Sequence, residues 1–259
     1  MDLVKDKIAI VTGGSSGNGR AIARSLAKHG ASVVIVADTR HDPREGGTPT
    51  HELISSESAT QAIFVECNVT DLESFAAVVA VADEHGGADI LVNNAGITGL
   101  ASPIATFSEE EFDNVIGVNL KGCFHGSKLV AAGMMERGRG SIINLSSVAG
   151  LVASSSSGIY SASKAAVNLL TMALAREVGP YGVRANSVMP GIIDTFMTTR
   201  DRNLASGETR EAMKLKIPLR RIGTTDDVAD VVTYLASDLS SYVSGTMIVV
   251  DGGYTCQMP

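Results

Sequence analysis

Tyr160 and Lys164 stand four residues apart in "YSASK" (160–164), in a chain with five tyrosines among 259 residues. On a helix that spacing puts both side chains on one face, a turn apart and within reach of each other. A phenol with a pKa of about 10 carries protons poorly at neutral pH. An ammonium beside it stabilises phenolate and draws the pKa toward the working range. The pair therefore suits acid–base chemistry at an oxygen. Taken alone it equally suits a chance contact on a surface helix, so the chemistry needs a cofactor and a partner residue from elsewhere in the chain.

The start of the chain offers a place for phosphate. The apolar run 7–12 leads into "TGGSSGNGRAIARSLAKHG", with Gly13, Gly17 and Gly19 spaced G-x-x-x-G-x-G between a strand and a helix. Glycine there permits a tight turn and close backbone approach to a pyrophosphate at the helix N-terminus. The second apolar run, 32–37, is followed by Asp38. A carboxylate at that point accepts hydrogen bonds from the adenosine ribose and repels a 2′-phosphate. Ser16 precedes Gly17 and Thr39 follows Asp38, so neither place is basic. NAD is therefore expected ahead of NADP, with Arg40 the one residue able to swing toward a 2′-phosphate. The plain alternative for Asp38 is a turn cap.

Hydride transfer between an alcohol and a carbonyl needs a nicotinamide, a group on the oxygen and a proton carrier. Zinc could polarise the oxygen, but no His/Cys cluster shows ligand spacing, and the expectation is no metal. His29, His41, His51, His85 and His125 are scattered and read as surface or packing residues. Ser147 follows the run 141–146 and precedes Tyr160 by thirteen residues. It falls at the carboxyl end of a strand, where ligands bind in such sheets, and its hydroxyl can hold the substrate oxygen beside the phenol.

The elements that must position these groups alternate. Apolar runs at 7–12, 32–37, 62–66, 89–93, 141–146, 183–189 and 246–251 read as strands covered on both faces. Helical patterns lie at 18–29, 50–58, 71–85, 108–137, 159–178 and 225–237. "TDLESF" (70–75) and "SEEEFDNV" (108–115) open with Thr or Ser followed three residues later by an acid, a helix-start signature. The prediction is an α/β fold: a Rossmann-like, doubly wound parallel sheet of seven strands with helices on both faces. No linker divides the chain, so residues 1–259 are expected to form one domain. Segment 39–50 reads as a loop. The insertion 195–221 should hold a short helix or two, with 195–217 acting as a substrate lid.

Composition narrows the class. Hydrophobic residues make up 44% and charged residues 19%, as in a globular protein with a sizeable core, and the net charge of −7 disfavours nucleic acid or anionic membrane as partner. Cys67, Cys123 and Cys256 are too few and too widely spaced for a disulfide framework. The opening residues do not resemble a signal peptide and no run approaches a membrane span, so a soluble, cytoplasmic protein is expected.

The chain resembles the short-chain dehydrogenase/reductase family over nearly its whole length. The resemblance rests on "TGGSSGNG" (12–19), "NNAG" (93–96), "VNLKG" (118–122), "SS" (146–147), "YSASK" (160–164), "PGIIDT" (190–195) and "VDGG" (250–253). It implies a catalytic tetrad of Asn119, Ser147, Tyr160 and Lys164. In it Tyr160 is the acid/base, Ser147 orients the substrate oxygen, and Asn119 holds a water in a proton relay. Lys164 binds the nicotinamide ribose and lowers the tyrosine pKa. The resemblance also implies that Asn94, Ala95 and Gly96 line the cofactor, and that the backbone of Ile193 and the hydroxyl of Thr195 hold the carboxamide. Two positions depart from the family pattern. Asn18 replaces a common isoleucine, putting an amide within reach of a phosphate or the substrate rim. Asn68 replaces a common aspartate and can still address adenine, with Val69 beside it.

These readings point to an NAD(H)-dependent oxidoreductase, an alcohol dehydrogenase or carbonyl reductase acting on a secondary alcohol or ketone, polyols and cyclic compounds included. An NADPH-dependent 3-oxoacyl-carrier-protein reductase is the alternative, with "RDR" (200–202) and "LRR" (219–221) as candidate contacts for an acidic carrier. A silent dinucleotide sensor should have lost part of the tetrad. A sugar-nucleotide epimerase needs a larger substrate domain. Segments 97–104 and 149–159, with Phe196, Met197 and Met213, are expected around the substrate. Apolar residues beyond one face of 108–137 and 159–178 predict a homotetramer.

Overall fold

The computed structural model describes residues 2–153, 157–201 and 206–256. Seven parallel strands form one sheet: β1 (Ile8–Thr12), β2 (Val33–Asp38), β3 (Gln61–Glu66), β4 (Ile90–Asn93), β5 (Gly140–Leu145), β6 (Val183–Pro190) and β7 (Met247–Val250). Their order is β3-β2-β1-β4-β5-β6-β7, so the chain winds outward in opposite directions from the β1–β4 pair. Each strand begins and ends within one residue of its sequence expectation.

Alternation along the strands explains the two covered faces. Ala9, Val11, Val34 and Val92 pack with Ile22 and Leu26 of α1 (Gly17–Lys28), Ile54 of α2 (Thr50–Glu57) and Val228 and Val232 of α9 (Thr225–Ala236). Their neighbours Ile8, Ile10, Ile35 and Leu91 point the other way. They meet Phe75 and Val78 of α3 (Leu72–Glu84), Met134 of α5 (Gly122–Arg137) and Leu174 of α6 (Gly158–Val178). Few strand positions are left for polar residues, which is why the strands read as unbroken apolar runs.

Three details differ from expectation. The helix expected over 108–137 is interrupted: α4 (Glu109–Ile116) opens into a π-turn at Gly117–Lys121 before α5 begins. Second, α3 starts at Leu72 and is capped by Asp71, whose carboxylate accepts from the Glu73 amide, whereas Thr70 bonds back to Asn68. The cap of α4 is Ser108, as its sequence suggests. The insertion holds two short helices as expected, α7 (Phe196–Asp201) and α8 (Gly207–Leu215), with 202–205 outside the described residues, and the third difference concerns Met213. Met213 does not face a substrate space. It packs with Ile192, Ile217, Ile222 and Tyr254 in a small apolar cluster.

The β1–β4 seam is stapled at its carboxyl end. Thr12 Oγ1 accepts from the amides of Asn94 and Ala95, both at 3.0 Å. Asn94 Nδ2 returns to the carbonyls of Thr12 at 2.8 Å and Gly13 at 3.2 Å. Thr12→Val keeps the shape but removes an acceptor from two amides, so unfolding free energy in urea should fall by about 1–3 kcal/mol, and Thr12→Ser should restore it. Equal stability of Thr12→Val and the parent would show that the seam holds without the hydroxyl.

Candidate active site

A cleft of about 340 Å³ opens at the carboxyl ends of the strands. Gly13, Ser16, Gly17, Asn18 and Asp38 line one end, and Ser147, Tyr160 and Lys164 the other. Asn68, Val69, Asn94, Ala95, Gly96, Ile193 and Thr195 also line it. Of the residues singled out from sequence, Gly19 and Asn119 stand just behind the wall. A Cβ on Gly19 would lie 2.1 Å from the Gly13 carbonyl oxygen and 2.5 Å from Asn94 Nδ2, so only glycine lets α1 pack this close to the turn.

The chemical end is built on the first turns of α6. Tyr160 sits at its start and Lys164 one turn on, with Nζ 5.8 Å from the Tyr160 ring centroid. Lys164 is 4% exposed, and Nζ donates to the Leu145 carbonyl at 2.8 Å, at the end of β5. Burial pushes the ammonium down to about 8, partly offset by Cys123 nearby. Burial likewise pushes the Cys123 thiol up to about 12, so Lys164 faces a neutral thiol rather than a counter-ion. Of the two serines after β5, Ser146 is buried and donates to the Lys164 carbonyl. Ser147 reaches the cleft, and its Oγ accepts from the Ala149 amide at 3.1 Å.

Asn119 lies in the π-turn and is 2% exposed. Its Nδ2 donates to Ile97 O at 2.9 Å and Ser163 Oγ at 3.0 Å, while Oδ1 accepts from the Ile97 amide at 2.8 Å. Ser163 in turn donates to the Tyr160 carbonyl at 2.7 Å. The widened turn thus aims a brace at the helix that carries the tyrosine, a use typical of π-turns at functional sites. Both amide hydrogens are taken, which leaves a lone pair on Oδ1 for a water. A Cβ on Gly96 would stand 3.3 Å from both Asn119 Oδ1 and Lys164 Nζ, so a glycine there keeps the two polar ends close.

At the other end, α1 begins with no side-chain cap and no acid in its first turn. Side chains of Asp71, Ser108, Ser206 and Thr224 cap α3, α4, α8 and α9, whereas α2, α5 and α6 share with α1 the lack of a side-chain cap. Gly13 and Gly17 hold φ of 62° and 52°, the left-handed region that favours glycine. Asn18 Oδ1 is buried without a partner, and an amide flip would turn a donor into the same spot. A helix end that its own N-cap residue leaves uncapped, left-handed glycines and an unpartnered amide fit a bound phosphate. Glu45 from the loop after β2 already stands there, accepting from the Gly17 amide at 2.9 Å. These residues fit a dinucleotide.

Asp38 both lines the cleft and caps its turn, accepting from the amides of Ser15 at 3.1 Å and Arg40 at 3.3 Å. The two sequence readings of this residue are therefore compatible. Arg44, which sequence reasoning passed over, lines the cleft together with Thr39, whereas Arg40 does not. Its only sequence signal was a second arginine in a Gly/Pro-rich loop. Phe196 and Met197 reach the cleft as expected, and Ile97 and Thr98 represent the segment 97–104. From 149–159, residues 154–156 lie outside the described residues. The histidines are less scattered than expected, since the loop after β2 brings His41 beside His51.

Lys164 gives a pH signature. Its folded pKa of about 8 lies below the unfolded value of about 10.4, so the unfolded chain binds more protons between them and stability gained from this residue rises with pH across that window. Relative to Lys164→Met, the parent without cofactor should gain roughly 1–3 kcal/mol between pH 8 and about 10.4. A flat difference, measured by denaturant titration, would show that the ammonium keeps its ordinary affinity for protons.

Residues 13–255 match the family model described as enoyl-(acyl carrier protein) reductase. The chain is 40% identical to L-rhamnose 1-dehydrogenase (NAD(P)(+)) of Azotobacter vinelandii, covering 97% of each chain. It is 39% identical to a 3-oxoacyl-(acyl-carrier-protein) reductase of Vibrio cholerae, covering 96% of this chain and 98% of that one. A short-chain type dehydrogenase/reductase from Mycobacterium marinum superposes with a TM-score of 0.88 at 34% identity over 99% of both chains. With its doubly wound sheet and the cleft at its carboxyl edge, the chain belongs to the short-chain dehydrogenase/reductase family of oxidoreductases.

Proposed function

We propose that the chain interconverts a secondary alcohol and a ketone with NAD(H) as cofactor. The observation that carries this is the placement of Ser147, Tyr160 and a buried Lys164 in one cleft with the left-handed glycine turn and Asp38. When bound, the dinucleotide supplies or accepts the hydride. Gly13, Ser16, Gly17, Asn18, Gly19, Asp38, Asn68, Val69 and Asn94–Gly96 would hold its adenosine and pyrophosphate, and Ile193 and Thr195 its carboxamide. Ser147 Oγ holds the substrate oxygen. Tyr160 gives that oxygen its proton in reduction and takes it in oxidation. The Lys164 charge favours phenolate, and Asn119 Oδ1 offers a seat for the water that passes the proton onward.

Around the chemical end the lining is Ile97, Thr98, Val118, Phe196 and Met197, and among the described residues Lys164 is its one charged side chain. That wall suits an uncharged substrate, a simple, cyclic or polyol alcohol, better than a phosphorylated one. Arg44 favours a second reading, an NADPH-dependent 3-oxoacyl-carrier-protein reductase, because it lines the cleft beside Thr39 and could meet a 2′-phosphate. Against it stand the Asp38 carboxylate and the state of the basic segment 219–221. Arg221 forks onto Asp227 at 2.6 and 2.7 Å, an ion pair that an acidic carrier would have to displace. Arg202 of the other candidate lies outside the described residues.

One assay tests the reading: a panel of alcohols and ketones followed by nicotinamide absorbance with both cofactors. The parent should prefer NAD(H), Tyr160→Phe should lose turnover by 10²-fold or more while keeping NAD affinity, and Asp38→Asn with Thr39→Arg should shift preference toward NADP(H). Tyr160→Phe turnover within about tenfold of the parent would remove the acid–base role. A parent that already prefers NADPH would move the selectivity from Asp38 to Arg44.

We also propose a homotetramer in a cytoplasmic setting. No helix among the described residues is long and apolar enough to cross a membrane. Phe112, Phe124, Leu169 and Met172 are exposed on α4, α5 and α6, and Met247 and Val249 on β7. Light scattering at micromolar concentration should give four chains, and a monomer would mean these apolar faces stay open.

A further inference from the structure

The loop between β2 and α2 brings together groups that the oxidoreductase chemistry does not use. A ring nitrogen of His41, one of His51 and a carboxylate oxygen of Glu52 lie within 4.8 Å of one another. His51 and Glu52 occupy the first turn of α2, and His41 returns to them from the far end of the loop. Phe64 of β3 backs the two rings: His41 meets it edge-on at 5.1 Å, His51 lies 5.9 Å from it, and the imidazole centroids are 4.9 Å apart.

The hydrogen bonding leaves this cluster unsatisfied. Nδ1 of His41 pairs with the Asp42 carboxylate at 3.0 Å, which makes that nitrogen the donor and leaves the lone pair on Nε2. Nδ1 of His51 is buried and has no hydrogen-bond partner among the described residues. A buried, unpartnered ring nitrogen costs free energy unless something accepts its lone pair or hydrogen.

We propose that His41, His51 and Glu52 form a site for a divalent transition metal, with Asp42 orienting His41. Two imidazoles and one carboxylate suit zinc, nickel or copper better than magnesium or calcium. Bonds of about 2.0–2.2 Å put tetrahedral ligands roughly 3.4 Å apart, a closure that side-chain rotation supplies. His41 and Glu52 are exposed, so a fourth position stays open to water. The ion would tie both ends of a loop whose middle places Arg44 in the cleft and Glu45 on Gly17. The site lies outside the cleft and does not depend on which cofactor binds there.

The test uses the untagged full chain, stripped with a chelator and titrated calorimetrically with zinc chloride and, separately, nickel chloride. One saturable site per chain is expected, weakened at least about tenfold in both His41→Ala and His51→Ala. Cys256→Ser should bind as the parent does, which separates this site from the exposed thiol. Cobalt should give visible ligand-field bands that both histidine variants lose, and unchanged thermal melting of either variant without metal shows that it is folded. No saturable binding below about 100 µM, or binding that neither histidine variant alters, overturns the proposal.

Discussion

The seam between β1 and β4 is the one place where adjacent strands send their chains to opposite flanks of the sheet, and the rest of the molecule is arranged around keeping it open at one end and closed at the other. Connections that leave in opposite directions cannot cover the gap between them, so a crevice is unavoidable at the carboxyl edge. The Thr12 hydroxyl and the Asn94 amide close its floor by pairing backbone groups that would otherwise face into the crevice unsatisfied. With the floor fixed, the glycine turn on one side and the Asn94–Gly96 segment on the other become opposite walls of one cleft.

Holding an ammonium in the second wall requires a stiff scaffold. Asn93 at the end of β4 donates to the Cys123 carbonyl, Ser127 and Asn144, and Asn144 continues to Thr171, which returns to the Val167 carbonyl. This buried polar chain joins β4 and β5 to α5 and α6, the helices behind and beside Lys164. The Lys164 ammonium then has the Leu145 carbonyl for a partner and, among the described residues, no carboxylate. Its charge is held by geometry rather than by a counter-ion, and it is therefore available to a phenol one turn away.

Much of this was legible in the residues. The strands are β-branched runs buried on both faces and punctuated by Gly, Asp and Asn, so length and pattern alone located them to within a residue. Tyr160, Lys164 and Ser147 were readable because helix period and strand ends translate directly into shared faces and edges. What escaped was set by distant contacts. The π-turn cannot be seen in "VIGVNLKGC", because the helical pattern runs on through it, and the widening coincides with bonds from Asn119 to Ile97 and Ser163. Met213 was read as a substrate wall because nothing local tells it that Ile192, Ile217, Ile222 and Tyr254 will cover it. Arg44 and the meeting of His41 with His51 depend on the path of a Gly/Pro-rich loop, which local propensity does not determine.

The same loop places the Glu45 carboxylate on the Gly17 amide, so the anion seat at the head of α1 has an internal tenant. A phosphate approaching that amide competes with a group that is always present at high effective concentration. Its arrival is then a sequence of two events, departure of the carboxylate followed by capture. The rate of such association would level off at a ceiling as ligand concentration rises, because loop release becomes the limit. Along the same path in reverse, the carboxylate would return only once a dinucleotide had left and would then block its rebinding, which makes exchange between turnovers a property of the loop as well as of the glycine turn.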